Sequence, residues 1–145
     1  MPAEQMRKRQ EGSYVAKLIH TMIRVLEEER STQFYETAFG LKVADRYDFD
    51  GFTLIYLSNP ETEHELELTV NKGQEGPYDL GNGYGHLAFS VQSLEEEHAR
   101  LKAEGLNPKD IKEIAHQGTP LGRFFFIEDP DGYKIEVLER RGRFK

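Results

Sequence analysis

Two histidines and two glutamates occupy matched positions in the two halves of this 145-residue chain. Glu67 follows His20 by 47 residues, and Glu136 follows His86 by 50 residues. Each histidine stands near the start of the first strand-like segment of its half, and each glutamate lies in the last one. Imidazole nitrogens and carboxylate oxygens are common ligands of divalent transition metals. The pattern therefore predicts that the four side chains converge on one metal ion.

The residue types also limit which metal and which chemistry to expect. The chain has no cysteine, which excludes a disulfide scaffold, a thiolate zinc site and a cysteine nucleophile. Four protein ligands would close a tetrahedral site, whereas an octahedral ion keeps two positions open for a substrate. We therefore expect Ni²⁺ or Co²⁺, with six-coordinate Zn²⁺ as a further option, acting by polarising a bound oxygen.

A structural role is the alternative for each of these side chains taken alone. A single histidine in a strand is usually a hydrogen-bonded structural residue, and a single glutamate is usually solvated. The duplicated placement favours a ligand set over that alternative. The other three histidines, His64, His98 and His116, have no such matched partners, and we expect them to be solvated.

A cation and an amide follow the first predicted ligand pair at equal distances. Arg24 lies four residues beyond His20, and Asn71 lies four residues beyond Glu67, which places each on the same strand face as its ligand. Four residues of strand span roughly 13 Å, and arginine suits two-point recognition of a carboxylate. Arg24 and Asn71 are therefore candidates for binding the carboxylate of an extended small anion. The alternative for Arg24 is a surface ion pair with a nearby glutamate.

The elements that must position these residues repeat along the chain. In the first half, apolar alternation predicts a strand over 17–25, a helix from about 27 that ends at Gly40, and strands over 42–47, 52–57 and 65–71. After a glycine-rich linker over 72–85, a strand over 86–91 precedes a helix that begins with a capping box at Ser93 and ends at Gly105. Strands near 111–115, 123–127 and 133–138 follow.

This order predicts an α+β fold built from two tandem βαβββ modules by internal duplication. We expect a polar, mobile N-terminal arm over residues 1–16 and one domain over 17–145, with modules at about 17–72 and 84–140. One module alone would leave a sheet face bare, so the two halves need each other or a second chain.

Charge and hydropathy exclude two classes of partner. The chain carries 19 Lys and Arg against 26 Asp and Glu, a net charge of −7, and it has no long basic run. This balance disfavours nucleic acid as a partner. No apolar stretch reaches membrane-spanning length, so we expect no membrane partner and a cytoplasmic location.

Four segments carry a specific family resemblance: HTMIRV (20–25), LELTVN (66–71), YDLGNGYGHLAFSV (78–91) and EDPDGYKIEVLE (128–139). In this order they resemble glyoxalase I, or lactoylglutathione lyase, of the vicinal oxygen chelate superfamily, and the similarity runs from residue 17 to about 140. The resemblance implies a homodimer whose sites are shared between subunits.

The resemblance also implies how the site residues are distributed. His20 and Glu67 would come from one chain, and His86 and Glu136 from its partner. Arg24 and Asn71 match the positions that contact glutathione in the family. The short form of the chain is similar to the bacterial members that prefer nickel or cobalt.

The implied reaction isomerises the hemithioacetal of methylglyoxal and glutathione to S-lactoylglutathione through an enediolate. Glu136 would be the main base, and Glu67 would serve the opposite face of the substrate. One stretch departs from the family: residues 118–123 read GTPLGR, where many members carry a Lys-Gly-Gly-type loop that holds glutathione. Arg123 is a candidate replacement for that lysine, and a different thiol or aldehyde is the alternative.

Two other function classes stay open on the same fold. The first is another metalloenzyme, a dioxygenase or a thiol transferase; a dioxygenase needs only two histidines and one carboxylate around iron. The second is a metal-free protein that binds an antibiotic or a similar small molecule, which needs no matched ligands. The presence of four ligand-type residues disfavours both.

Overall fold

The two halves of the chain fold into two four-stranded sheets, each accompanied by one helix. The computed structural model describes residues 2–3 and 15–145, so the arm predicted over 1–16 lies largely outside the described residues. The first module contains β1 (His20–Arg24), α1 (Glu28–Phe39), β2 (Lys42–Asp48), β3 (Phe52–Ser58) and β4 (Glu65–Asn71). The second contains β5 (Leu87–Val91), α2 (Leu94–Ala103), β6 (Lys112–His116), β7 (Thr119–Glu128) and β8 (Lys134–Glu139). The predicted α+β fold of tandem βαβββ modules is confirmed.

The sheets have equivalent strand orders, β1-β4-β3-β2 and β5-β8-β7-β6. In each module the first and last strands pair in parallel, and the other pairs are antiparallel. Parallel strands cannot be joined by a tight turn, so the helix and the two intervening strands form the connection. As a result, the first strand lies at a sheet edge, directly beside the last strand of its module.

Both helices begin where the sequence predicts; α1 also ends as predicted, whereas α2 ends at Ala103, two residues before Gly105. Gly40 follows α1 in the left-handed conformation at φ 65°, and its N–H bonds back to the carbonyl of Glu36, which ends the helix. At the start of α2, the Ser93 hydroxyl accepts a hydrogen bond from the N–H of Glu96 at 3.4 Å.

Strand alternation buries one face of each sheet and leaves the other open. The buried faces meet the helices in one core, whose fully buried members include Ile55, Leu57 and Leu68 from the first sheet. Phe125, Ile135 and Val137 are their counterparts in the second sheet. The side chains of the predicted site lie on the opposite faces.

Buried carboxylates join the second module to the first helix. The Tyr35 hydroxyl donates to Asp129 at 2.7 Å, and Asp131 accepts from the N–H of Leu26 at 2.9 Å and from the Ser31 hydroxyl at 3.1 Å. Burial raises the pKa of Asp129 above its ordinary value, although the hydrogen bond from Tyr35 acts in the opposite direction. These bonds fix the turn before β8 against the start of α1.

Two expectations about individual histidines were wrong. His64 bonds through Nε2 to the Thr21 hydroxyl at 2.8 Å, and His98 bonds through Nε2 to the carbonyl of Lys109 at 2.8 Å. Both rings are therefore held by tertiary contacts, which the local sequence does not reveal. His116 is exposed, as expected.

Strand β7 begins at Thr119, four residues earlier than expected. Most of the stretch 118–123 therefore belongs to a β6–β7 hairpin and not to a binding loop. In the described part of the chain, no helix has the length and apolar character needed to cross a membrane.

Candidate metal centre

The first predicted ligand pair forms on the open face of the first sheet. The parallel register pairs Met22 with Glu67. His20 lies two residues before Met22 on β1, and its side chain is therefore on the same face of the sheet as Glu67. The His20 Nε2 atom lies 3.1 Å from the Glu67 Oε2 atom. The Glu67 side chain is only 10% exposed, against 37% for His20, so the carboxylate has little access to water.

Tyr56 forms a hydrogen bond with the second oxygen of the Glu67 carboxylate. It pairs with Glu67 across β3 and β4, and its hydroxyl donates to Glu67 Oε1 at 2.8 Å. Its ring also packs edge-on against the His20 imidazole, with ring centroids 5.8 Å apart. The hydrogen bond to Glu67, with a smaller effect of burial, raises the pKa of Tyr56 above its ordinary value.

The second pair forms in the same way on the second sheet. Ala88 pairs with Glu136 in the parallel register, and His86 stands just before β5. The His86 Nε2 atom lies 3.6 Å from the Glu136 Oε1 atom, and the Glu136 side chain is 18% exposed. Phe126 pairs with Glu136 and packs edge-on against the His86 ring at 5.3 Å.

The donor separations fit ligation of one cation by each pair. Two donors that each lie about 2.1 Å from an ion are about 3.0 Å apart at an octahedral angle and about 3.4 Å apart at a tetrahedral one. The observed separations of 3.1 and 3.6 Å lie close to these values. An imidazole and a carboxylate in each pair also suit a divalent transition metal.

One chain does not bring all four side chains together. Within residues 2–3 and 15–145, no group of three or more His, Cys, Asp or Glu side chains could hold a metal ion. The histidine and glutamate of each module are neighbours, but the two pairs are separate. Within the described chain, the four predicted ligands therefore form two separate histidine–glutamate pairs and no common cluster.

Arg24 and Asn71 lie beyond the first pair, on the same face. Arg24 pairs with Thr69, so Asn71 is its diagonal neighbour on β4. Arg24 is exposed and Asn71 is partly buried. The Arg24 side chain forms no ion pair with another residue of the described chain, so the alternative of a surface ion pair is not observed.

Arg123 does not lie where it could replace the missing lysine of the glutathione-binding loop. It alternates with Phe124 on β7 and therefore faces the side of the sheet opposite to Glu136. Its guanidinium bonds to Glu139 at 2.9 Å and to Glu95 of α2. Arg123 thus joins the sheet to its helix, and it does not replace the missing lysine at the candidate site.

The two aromatic neighbours, Tyr56 and Phe126, were missed from the sequence. Each lies 10 or 11 residues before its glutamate, in the strand that precedes it. Repeat matching could have aligned them, but contact with the carboxylates depends on the antiparallel register. Three exposed apolar side chains, Met22, Tyr47 and Phe52, share the open face of the first sheet and were also missed.

Comparison with known proteins places the chain among proteins of one superfamily. The family described as Glyoxalase/Bleomycin resistance protein/Dioxygenase superfamily matches residues 17–137. The chain is 41% identical over 130 residues to a lactoylglutathione lyase of Neisseria meningitidis serogroup A, covering 86% of this chain and 91% of the relative. It is 38% identical over 130 residues to a lactoylglutathione lyase of Salmonella typhimurium, covering 86% and 93%. A solved structure of the trypanothione-dependent glyoxalase I of Leishmania major superposes with a TM-score of 0.69 at 33% identity, covering 86% and 87%.

Glu67→Ala tests metal binding at the first pair, with Glu65→Ala as a matched control. Glu65 lies on the same strand face and pairs with His20, yet it forms no ion pair with that ring among the described residues. Residues that only orient metal ligands change affinity by about 10–100-fold, so loss of a ligand is expected to lower Ni²⁺ affinity by at least about 100-fold. Calorimetric titration with Ni²⁺ measures both variants. Equal affinities for the two variants would contradict ligation by Glu67.

Proposed function

The chain belongs to the Glyoxalase/Bleomycin resistance protein/Dioxygenase superfamily, and we propose that it performs its reaction at a metal centre shared between two copies of the chain. Its activity is that of a lactoylglutathione lyase, the activity of relatives 36–41% identical over most of its length. The substrate is the hemithioacetal of methylglyoxal and glutathione, and the product is S-lactoylglutathione. The duplicated histidine–glutamate pairs are the observation that supports this site for the reaction.

His20, Glu67, His86 and Glu136 are the proposed metal ligands. Two nitrogen and two oxygen donors suit Ni²⁺ or Co²⁺, and Zn²⁺ is a further candidate. A divalent cation supplies Lewis-acid polarisation of the substrate oxygens and stabilises the negative charge that develops on them. The protein has no cysteine to contribute, and the reaction needs none because the thiol is part of the substrate.

Glu136 is the proposed base. Its carboxylate takes the proton from the carbon that bears the sulfur and returns a proton to the adjacent carbon, so the reaction is an isomerisation with no net change in atoms. Its side chain is more exposed than that of Glu67 and lies farther from its histidine, so it is less constrained. Glu67 is proposed to serve the opposite face of the substrate.

Arg24 and Asn71 are the proposed contacts for glutathione. Arg24 carries an exposed guanidinium on the same face as His20 and Glu67, and charge-assisted hydrogen bonds from arginine suit a carboxylate. The stretch 118–123 contains no lysine, and the Leishmania major relative is described as trypanothione-dependent. The identity of the thiol that this chain uses is therefore to be tested by assaying more than one thiol. Glutathione is a principal thiol of the cytosol, and we accordingly propose a cytoplasmic enzyme.

The open sheet faces support a homodimer. Met22, Tyr47 and Phe52 are exposed beside the first ligand pair, and apolar groups on one open face are typical of a surface that is covered in the assembly. A second copy related by a twofold axis would bring the first pair of one chain to the second pair of the other, giving two equivalent sites. Nucleic acid and membranes have no part in this proposal.

The alternative functions fit the site less well. A dioxygenase needs a third open position on its iron, which a fourth protein ligand would occupy. A metal-free binding protein does not need either of the two histidine–glutamate pairs.

Glu136→Gln tests the proposed base in enzyme loaded with Ni²⁺ or Co²⁺. We expect wild type to convert methylglyoxal and glutathione to the thioester, and the variant to lose at least about 100-fold in kcat, because it cannot accept the proton. The thioester absorbance gives the rate. Glu128→Gln is the control, since Glu128 is exposed on the neighbouring strand, and it should retain wild-type activity. Full activity in Glu136→Gln would refute its role, and no thioester with any thiol tested would refute the lyase.

Complementation tests whether the sites are shared. His20→Ala and His86→Ala homodimers each lack a ligand at both sites and should be inactive. Unfolding and refolding a 1:1 mixture should recover about one quarter of wild-type activity, because half of the dimers would be mixed and each would hold one intact site. Wild type that is unfolded and refolded in the same way is the control and should be active. If the mixture then recovers no activity, each site belongs to a single chain.

Arg24→Ala tests the glutathione contact, with Arg123→Ala as the control. Loss of a charge-assisted hydrogen bond is expected to raise KM for the hemithioacetal about tenfold or more and to leave kcat little changed. Arg123 faces helix α2, so its removal should leave both constants unchanged. Steady-state kinetics measure kcat and KM for both variants. An unchanged KM in Arg24→Ala would contradict the proposal that Arg24 contacts glutathione.

A further inference from the structure

The two candidate half-sites differ by a single oxygen atom on the neighbouring strand. In the first, Glu67 lies between two partners: His20 approaches its Oε2 atom, and the Tyr56 hydroxyl donates to its Oε1 atom. The Tyr56 ring lies edge-on to the same imidazole. Tyr56 thus contacts both members of the pair.

The second half-site repeats this arrangement without the hydroxyl. Phe126 pairs with Glu136 as Tyr56 pairs with Glu67, and it lies edge-on to His86 as Tyr56 lies edge-on to its histidine. Within residues 15–145, no hydrogen bond reaches the Glu136 side chain. Its only close polar neighbour in that part of the chain is the imidazole at 3.6 Å.

This difference has a direct mechanical consequence. A carboxylate whose two oxygens are both held keeps one orientation, and hydrogen bonds from neighbouring side chains strengthen and orient metal ligands. A carboxylate held on one side only can rotate about its side-chain bonds at little cost. Glu67 is held at both oxygens, whereas Glu136 is held on one side only. Their side-chain exposures, 10% for Glu67 and 18% for Glu136, agree with a more constrained Glu67.

We propose that Tyr56 is a positioning residue that holds Glu67 in one orientation as a metal ligand, and that the phenyl ring at Phe126 leaves Glu136 free to move as the main base. The proposal rests on the proposed function, because it divides the two carboxylates of that site by role. The hydroxyl of Tyr56 does not touch the substrate; it acts through Glu67.

Tyr56→Phe and Phe126→Tyr form a matched pair of variants, because each changes only one oxygen. Tyr56→Phe keeps the ring against His20 and removes the anchor. Phe126→Tyr offers an anchor to Glu136 at a position that is only partly buried. Each purified variant is titrated with Co²⁺ against a chelator, its visible Co²⁺ spectrum is recorded, and kcat and KM are measured at saturating metal.

The two variants should fail in different ways. Tyr56→Phe should weaken Co²⁺ binding about tenfold and alter the Co²⁺ spectrum, while kcat at saturating metal stays within about twofold of wild type. Phe126→Tyr should bind Co²⁺ at least as tightly as wild type and lose about tenfold or more in kcat. Thermal unfolding of the metal-free proteins serves as the control, because a merely structural role would lower the melting temperature and affect metal affinity and kcat together.

Unchanged Co²⁺ affinity and spectrum in Tyr56→Phe would overturn the anchoring role, and unchanged kcat in Phe126→Tyr would overturn the mobility of Glu136. These outcomes are distinct from failure of the lyase. If wild type binds Co²⁺ but forms no thioester, the lyase reading fails while the difference in metal affinity still decides the role of Tyr56. If wild type forms thioester and Tyr56→Phe binds Co²⁺ normally, the lyase stands and the anchor does not.

Discussion

Parallel pairing between the first and last strands of each module is the constraint on which the site depends. It sets residues that are 47 and 50 positions apart in sequence beside each other at a sheet edge. The register matters as much as the pairing, because a slip of one residue would turn every side chain of a strand to the other face. Glu67 would then point into the core among Ile23 and Ile55 of the neighbouring strands, where an unpaired carboxylate is costly.

The packing of the two modules keeps their half-sites apart. The carboxylates of Asp129 and Asp131 bind the turn before β8 to the start of α1, and the rings of Phe39 and Phe89 stack with centroids 3.9 Å apart. These contacts fill the side of the molecule on which the helices lie. The faces that carry the proposed ligands remain outside the core, so each chain presents two separate histidine–glutamate pairs.

Much of the fold could be predicted from the sequence because the evidence was local. The bounds of β4 at Glu65–Asn71 match the apolar alternation, and Gly40 ends α1 as its backbone freedom suggests. The repeat also singled out the histidine and glutamate that the structure places side by side in each module. These features depend on short-range periodicity and on the comparison of one half with the other.

What could not be predicted depends on contacts between strands and between elements. The hydroxyl of Tyr56 reaches Glu67 only because of the antiparallel register of β3 and β4. Arg123 lies on the helix side of its sheet because of the register of β7 and β8, and the carbonyl of Lys109 holds His98 across a loop. Separation of the two histidine–glutamate pairs within one chain is a property of module packing; the family resemblance implied it, but no local pattern encodes it.

We propose that the metal centre forms only when two chains combine their histidine–glutamate pairs. Native mass spectrometry of the protein titrated with Ni²⁺ tests it most directly, because it reports oligomeric state and bound metal in the same spectrum. We expect dimers that carry two Ni²⁺ ions and monomers that carry none under the same conditions. Monomers that retain one tightly bound Ni²⁺ ion each would contradict it.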